Sequence, residues 1–371
     1  MTDVAQKMIP IFYVILIMAV LMTLPLGSRR LAYSHRITPN LEYEALAGLS
    51  KQTRKAVYAS FTVLLIIMVL FCIYKSEEVP DYMMYERVYE MNGSRNMHKE
   101  MELTYGWICQ VSPNFLFLLG IYAILSCGFH LYAILRNSPN VLISMLVYIS
   151  YFFVLHDLIQ IRAAVAIAIF LFALRYISER KWYVYFPLAI VALLFHNSAV
   201  VFIPLYFLPR KNINRYIWGS LLIGALLCGL AGIQIGVFSR YIPLKIVDMY
   251  MGNYLGSKEY VGSTIGPMRV FECLVGLVMI WKIKTIQTRY PYAVVCIILY
   301  TISQMCFLLL GDIPVLQTRM GEMFASVNIF AVAMFPLISR KHYYLLMVVP
   351  LLIIIYHMGS TMLLLSNQPI P

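Results

Sequence analysis

Apolar residues run along this chain in blocks of about twenty, separated by short polar stretches. The pattern predicts helices near 8–27, 56–74, 114–135, 140–156, 158–178, 183–195, 197–208, 216–235, 267–283, 290–310, 317–338 and 343–365. Most reach the roughly 20 residues that cross a bilayer. The pair 183–195 and 197–208 does not, so Trp182–Leu208 reads either as one tilted helix or as a hairpin broken at His196-Asn197-Ser198. The first block, Ile9–Leu26, lacks a small-x-small cleavage site and is expected to be a retained helix. The fold class that follows is all-α: a polytopic membrane protein of about 12 membrane helices, with a short hairpin at 183–208. Residues 1–371 read as a single membrane domain with outer loops at 75–113 and 236–266 and a basic cytoplasmic loop at 28–55. Neither outer loop is large enough for an ordinary independent catalytic domain.

Composition agrees. Hydrophobic types make up 61% and charged types 12%, against about 45–50% and about 25% in soluble domains. The seven cysteines form no C-x-x-C pair, and six lie in apolar blocks as small hydrophobes.

Charge changes the picture further. The 29 Lys and Arg against 17 Asp and Glu leave a net +12, which in a soluble protein would point to nucleic acid. With a hairpin at 183–208 and the N-terminus outside, 18 of the 29 cations and only 3 of the 17 acids fall on the inner side. With one helix there, the cations split 15 to 14 and the bias vanishes. The positive-inside rule therefore favours the hairpin, both termini outside, and a topological rather than a nucleic-acid role for the surplus.

The polar motifs then gather on the outer side: Asp81-Tyr82-Met83-Met84-Tyr85, His156-Asp157-Leu158-Ile159-Gln160-Ile161-Arg162, Phe195-His196-Asn197-Ser198, Arg269, and Asp312 to Glu322 with Arg319. Arg162, Arg269 and Arg319 each enter the membrane in the first turns of a helix, where the helix dipole disfavours a cation and burial at the membrane edge requires an anion. Arg269 has Glu272 and Arg319 has Glu322 three residues on, in reach for a local pair. Arg162 precedes Ala163-Ala164-Val165-Ala166 with no acid in the following turn, so its anion comes from elsewhere in the fold or from a ligand. Asp157-x-x-Gln160 fits a capping box, and His156 suits the carbonyls at a helix end. His196 stands at a helix break that Asn197 and Ser198 would explain as caps; its imidazole is either a structural hydrogen-bonding group or a general base. Asp81 is one of seven acids in its loop, interleaved with Tyr82, Tyr85, Tyr89 and Tyr105. That mixture fits a solvated face with interfacial aromatics and equally a sugar site. No D-x-D, H-E-x-x-H, Cys/His cluster, G-x-S-x-G or Walker loop occurs, so metal, serine-hydrolase and ATP-driven chemistry have no sequence support.

Taken in order, D-Y-x-x-Y after the second helix, Glu102-Leu-Thr-Tyr-Gly-Trp, Q-x-R-A-A-x-A-x-A from Gln160, F-H-N-S-A from Phe195 and a late outer arginine resemble the EpsG family over roughly residues 55–340. These are bacterial multi-pass proteins of exopolysaccharide and O-antigen synthesis, related to the Wzy polymerases. The resemblance implies a glycosyltransferase C-type membrane domain in the bacterial inner membrane with its site facing the periplasm. The expected substrate is an oligosaccharide on undecaprenyl pyrophosphate, whose growing glycan moves to the terminal sugar of another lipid-linked unit. Neither a cofactor nor a metal is implied; a chain-length regulator and a flippase are the implied protein partners. On this reading Arg162, with Arg319 and Arg269, contacts the pyrophosphate, and His196 or Asp81 activates the acceptor. Gln160, Tyr82, Tyr85, His156, Asp157 and Glu102 line the substrate site. A flippase for lipid-linked sugars and a ligase with another acceptor are the alternatives.

Overall fold

The computed structural model describes residues 3–27, 46, 49–91, 102–233, 265–311 and 313–365. All regular elements among them are helical. Seven helices are long and apolar enough to cross a membrane: Met8–Gly27, Lys51–Ile73, Phe115–Asn137, Val141–Ile159, Ile161–Glu179, Leu316–Ile338 and Tyr343–Leu363. The protein is a multi-pass membrane protein. The other five expected runs are helical but shorter, at 11 to 17 residues. The basic stretch 28–45, most of the outer loop 236–266, and Asp312 lie outside the described residues.

The chain divides into two compact units, Met1–Leu208 with Val332–Pro371, and Pro209–Ala331. In the first, α1 is Asp3–Thr23 and α2 is Lys51–Ile73. The expected outer loop 75–113 contains two short helices, α3 (Tyr82–Glu90) and α4 (Leu103–Val111). Tyr82, Tyr85 and Val88 recur every three residues and bury one face of α3, which makes it an amphipathic helix rather than a free loop. Next come α5 (Phe115–Asn137) and α6 (Val141–Val147), the latter running on as a π-helix over Tyr148–Ile159. Then follow α7 (Ile161–Glu179) and α8 (Trp182–Phe195). The helix α5 packs against α2 and α7, and α7 against α8. Ala163, Ala164, Ala166 and Ala168 are all buried in α7.

After α8 the chain turns at His196, whose backbone is extended (φ −153°, ψ 121°), and returns as a 3-10 helix, Asn197–Phe207. The return is antiparallel. The Tyr185 hydroxyl donates to the Phe202 carbonyl at 2.6 Å, and the Phe186 ring lies 5.0 Å from Tyr206. At the base, the Arg180 guanidinium holds the Tyr206 and Leu208 carbonyls. The hairpin is therefore real. Its legs, of 14 and 11 residues, measure about 21 and about 22 Å, short of the roughly 30 Å hydrocarbon core. Two corrections accompany it. The caps expected from Asn197 and Ser198 do not form at the break. The capping box expected at Asp157 does not form either: Asp157 sits inside the π-helix, and Gln160 precedes α7 without a side-chain cap. The unit closes with a 3-10 turn (Val332–Ile338), α15 (Tyr343–Leu346) and α16 (Val348–Leu365).

The second unit holds α9 (Arg215–Leu230), α10 (Pro267–Trp281), α11 (Ile283–Gln287), α12 (Ala293–Leu309), α13 (Pro314–Ala325) and α14 (Asn328–Ala331). Here α12 is the buried centre against which α9, α10 and α13 pack. A methyl added at Gly321 would stand 2.8 Å from the Phe307 ring, so α13 meets α12 with no room for a side chain at that point.

Candidate active site

Glu102 organises the site of the first unit. It immediately precedes α4, in extended conformation, and its carboxylate is nearly buried. One oxygen, Oε2, takes a charged hydrogen bond from the Arg162 guanidinium. The other, Oε1, accepts from His196 Nδ1 at 3.1 Å and from the Asn197 backbone N–H at 3.2 Å. A single carboxylate thus joins the start of α7 to the break in the hairpin. Burial alone would raise its pKa, but the His196 hydrogen bond and the Arg162 charge outweigh it and hold Glu102 down at about 2. The site therefore contains a fixed anion, and that anion answers the charge of Arg162 from elsewhere in the fold.

His196 follows from this. A carboxylate only accepts, so Nδ1 carries a proton, and in the neutral imidazole this leaves Nε2 as the acceptor. The side chain is 18% exposed. Arg162 lies over the Tyr85 ring, its guanidinium carbon 5.4 Å from the centroid, and remains 15% exposed. Its fork has donors beyond the one spent on Glu102.

Short contacts hold these three in register. Thr104 of α4 donates to the Leu194 carbonyl at the end of α8 at 2.7 Å. The Tyr105 hydroxyl donates to the Tyr85 carbonyl at 2.7 Å. The rings of Tyr85, Tyr105, Tyr122 and Phe195 succeed one another at 5.8 to 6.1 Å. Tyr85 is buried, which pushes its hydroxyl up to about 12. Tyr82 is buried edge-on to Phe115 at 5.2 Å. Lys75, absent from the sequence reading, is buried below Tyr82, donates to the Leu158 carbonyl, and is brought down to about 8 by burial.

Asp81 precedes α3 with an exposed side chain and a left-handed backbone (φ 66°), a conformation that stores strain in a non-glycine residue and that Asp tolerates better than most. Its carboxyl is raised by the surrounding protein and pulled the other way by the charges of Arg162 and Lys75. His156 is buried, its Nδ1 3.1 Å from Gln160 Oε1. Asp157 turns into the bundle, 3.3 Å from His130 Nδ1. His130 is a site residue not among those expected from the motifs, although an ionisable residue in the middle of an apolar helix is itself a signal. Lys75 offered none, being one more cation flanking a helix.

In the second unit Arg269 pairs with Glu272 at 2.8 Å, the local partner its spacing allowed. It also donates to Gln304 Oε1 at 2.9 Å and lies 4.0 Å over the Phe307 ring. Arg319 is exposed on α13.

No curated protein and no solved structure matches the chain. Residues 58–370 match the EpsG family model, most of the chain and all of the Glu102–Arg162–His196 site, and the protein therefore belongs to the EpsG family of Wzy-like polymerases.

Proposed function

We propose that this protein is a polysaccharide polymerase of the bacterial inner membrane. In this reading it moves a glycan from undecaprenyl pyrophosphate to the terminal sugar of a second lipid-linked repeat unit, at the periplasmic face. The observation that carries the reading is the single carboxylate, Glu102, shared by Arg162 and His196. It supplies an oriented base beside an oriented cation, the two things such a transfer needs.

The acceptor hydroxyl gives its proton to His196 Nε2 as its oxygen attacks the anomeric carbon of the donor. Glu102 fixes the tautomer and stabilises the imidazolium that forms, as a buried carboxylate does for a catalytic histidine. The bond from the anomeric carbon to the pyrophosphate oxygen breaks, and the electron pair leaves with undecaprenyl pyrophosphate. The remaining Arg162 donors meet the charge that builds on that leaving group. Asp81, exposed in the same unit, is assigned to the acceptor hydroxyls and Tyr85 to holding the Arg162 plane. His196 is preferred to Asp81 as base because it alone has a carboxylate behind it. Arg269 and Arg319 remain candidates for the lipid carrier, Arg319 the better one because Arg269 is already committed to Glu272 and Gln304. The helical membrane domain is read as glycosyltransferase C-type, with a chain-length regulator and a flippase as partners.

Purified protein given only lipid-linked repeat units tests this directly. A ladder of longer lipid-linked products is expected. Movement of lipid-linked units across the bilayer without new bonds would make the protein a flippase. No reaction until a different acceptor is added would make it a ligase.

A further inference from the structure

At one end of the second unit the start of α9 meets the end of α10, with the Arg215 guanidinium 4.4 Å over the Trp281 ring and 5.1 Å over Tyr216. Between the two helices runs a groove of about 440 Å³. Arg215, Lys282 and the two rings line it together with Gly219 and Val278. The surrounding sequence is one-sided: residues 209–233 and 277–300 carry six cations and no Asp or Glu. Neither Arg215 nor Lys282 forms an ion pair among the described residues. Arg215 donates only to the Tyr216 hydroxyl, a neutral partner, at 3.2 Å.

We infer that this groove binds an anionic phospholipid of the surrounding bilayer. Two cations beside an apolar groove with no carboxylate of their own complement an outside anion, and a lipid phosphate supplies it at the depth where Tyr and Trp rings sit in membrane proteins. The apolar groove running from them takes an acyl chain, which a soluble anion would leave empty. Zwitterionic lipid meets the groove but not the charge. The inference is independent of the polymerase reading, since none of its residues belongs to the Glu102 site.

The test is native mass spectrometry of the protein released from nanodiscs of mixed phosphatidylglycerol and phosphatidylcholine. The wild type should retain phosphatidylglycerol preferentially. Arg215→Gln with Lys282→Gln should lower that preference about 10- to 30-fold, the effect of removing two interfacial cations. The same two-charge loss at Lys51 and Lys55 should leave it unchanged. Gly219→Leu is a second probe that keeps both charges: a Cβ there meets nothing within 4 Å, so the side chain fills the groove without disturbing the fold and should also reduce retention. If the double variant fails to fold, Gly219→Leu decides alone. Equal retention of both lipids by the wild type, undiminished retention in the folded variants, or displacement of the lipid by inorganic phosphate at matched concentration would each overturn the assignment.

Discussion

Glu102 carries three donors on one carboxylate, and the consequences at the residue scale are measurable. Its pKa is held near 2, below the 4.5 of a free glutamate. A depressed folded-state value contributes stability that is present above the unfolded pKa and is lost as pH falls through the folded one. Wild type should therefore melt above Glu102→Gln at pH 7, with the gap unchanged to about pH 5 and closing between about 4.5 and 2. Melts across that range check it, and a constant gap would remove the charge from the explanation. His196→Gln keeps a hydrogen-bond donor for Glu102 but no base, so it should fold normally and polymerise about 10²–10⁴-fold more slowly. Full activity in that variant would take His196 out of the reaction. Arg162→Ala would strand a buried carboxylate and confuse stability with catalysis. Arg162→Lys keeps the charge and loses the planar fork. It should hold the melting temperature while long-chain polymer disappears from gels. Of these three residues, the sequence singled out Arg162 and His196 by their awkward positions. Glu102 heads a family motif and is among the expected site residues, but nothing in a one-dimensional pattern could show that it is the partner shared by the other two.

At the element scale the decisive piece is the hairpin of α8 and the 3-10 leg. Charge parity favours a turn here, and the break falls where the sequence puts it, at His196. The cause was different. The side-chain caps expected from Asn197 and Ser198 are absent, and the turn is stitched instead by Glu102 on the Asn197 N–H, by Thr104 on Leu194 and by Tyr185 on Phe202. Each is a contact between distant parts of the chain, invisible to local propensity. Tyr185→Phe deletes only a hydroxyl from a fully buried ring and leaves the Phe202 carbonyl without its donor. It should cost about 1–2 kcal/mol and lower the melting temperature with little change in the products formed. A loss of activity far beyond the loss of folded protein would show that the hairpin is set more finely than its packing requires. The same limit explains the π-helix. A break near Asp157 was expected from its turn-forming and capping habits, yet the helix winds on to Ile159 because Asp157 finds His130 inside the bundle.

For the whole molecule, the hairpin topology that puts 18 of the 29 cations inside predicts the sidedness of each loop. Reporter fusions after residue 99 or 257 should report the outer side and fusions after 138, 212 or 285 the inner side. Reversal at 212 and 285 with residue 138 unchanged would mean that 183–208 does not return the chain. The sequence by itself determined that the protein is helical and polytopic, because a bilayer demands runs of about twenty apolar residues, and its flanking cations supply the orientation that the fusions test. It also brought out the short motifs of the family. It did not determine which helices are long enough to span, since among the described residues seven of the expected dozen are, nor that α3 and α4 would form inside a polar loop. Above all it left Arg162 with an unnamed anion. Glu102 lies 60 residues away from Arg162 and 94 from His196. Such a meeting is decided by packing, because only the closed bundle brings α4, α7 and the hairpin tip within the reach of one carboxylate.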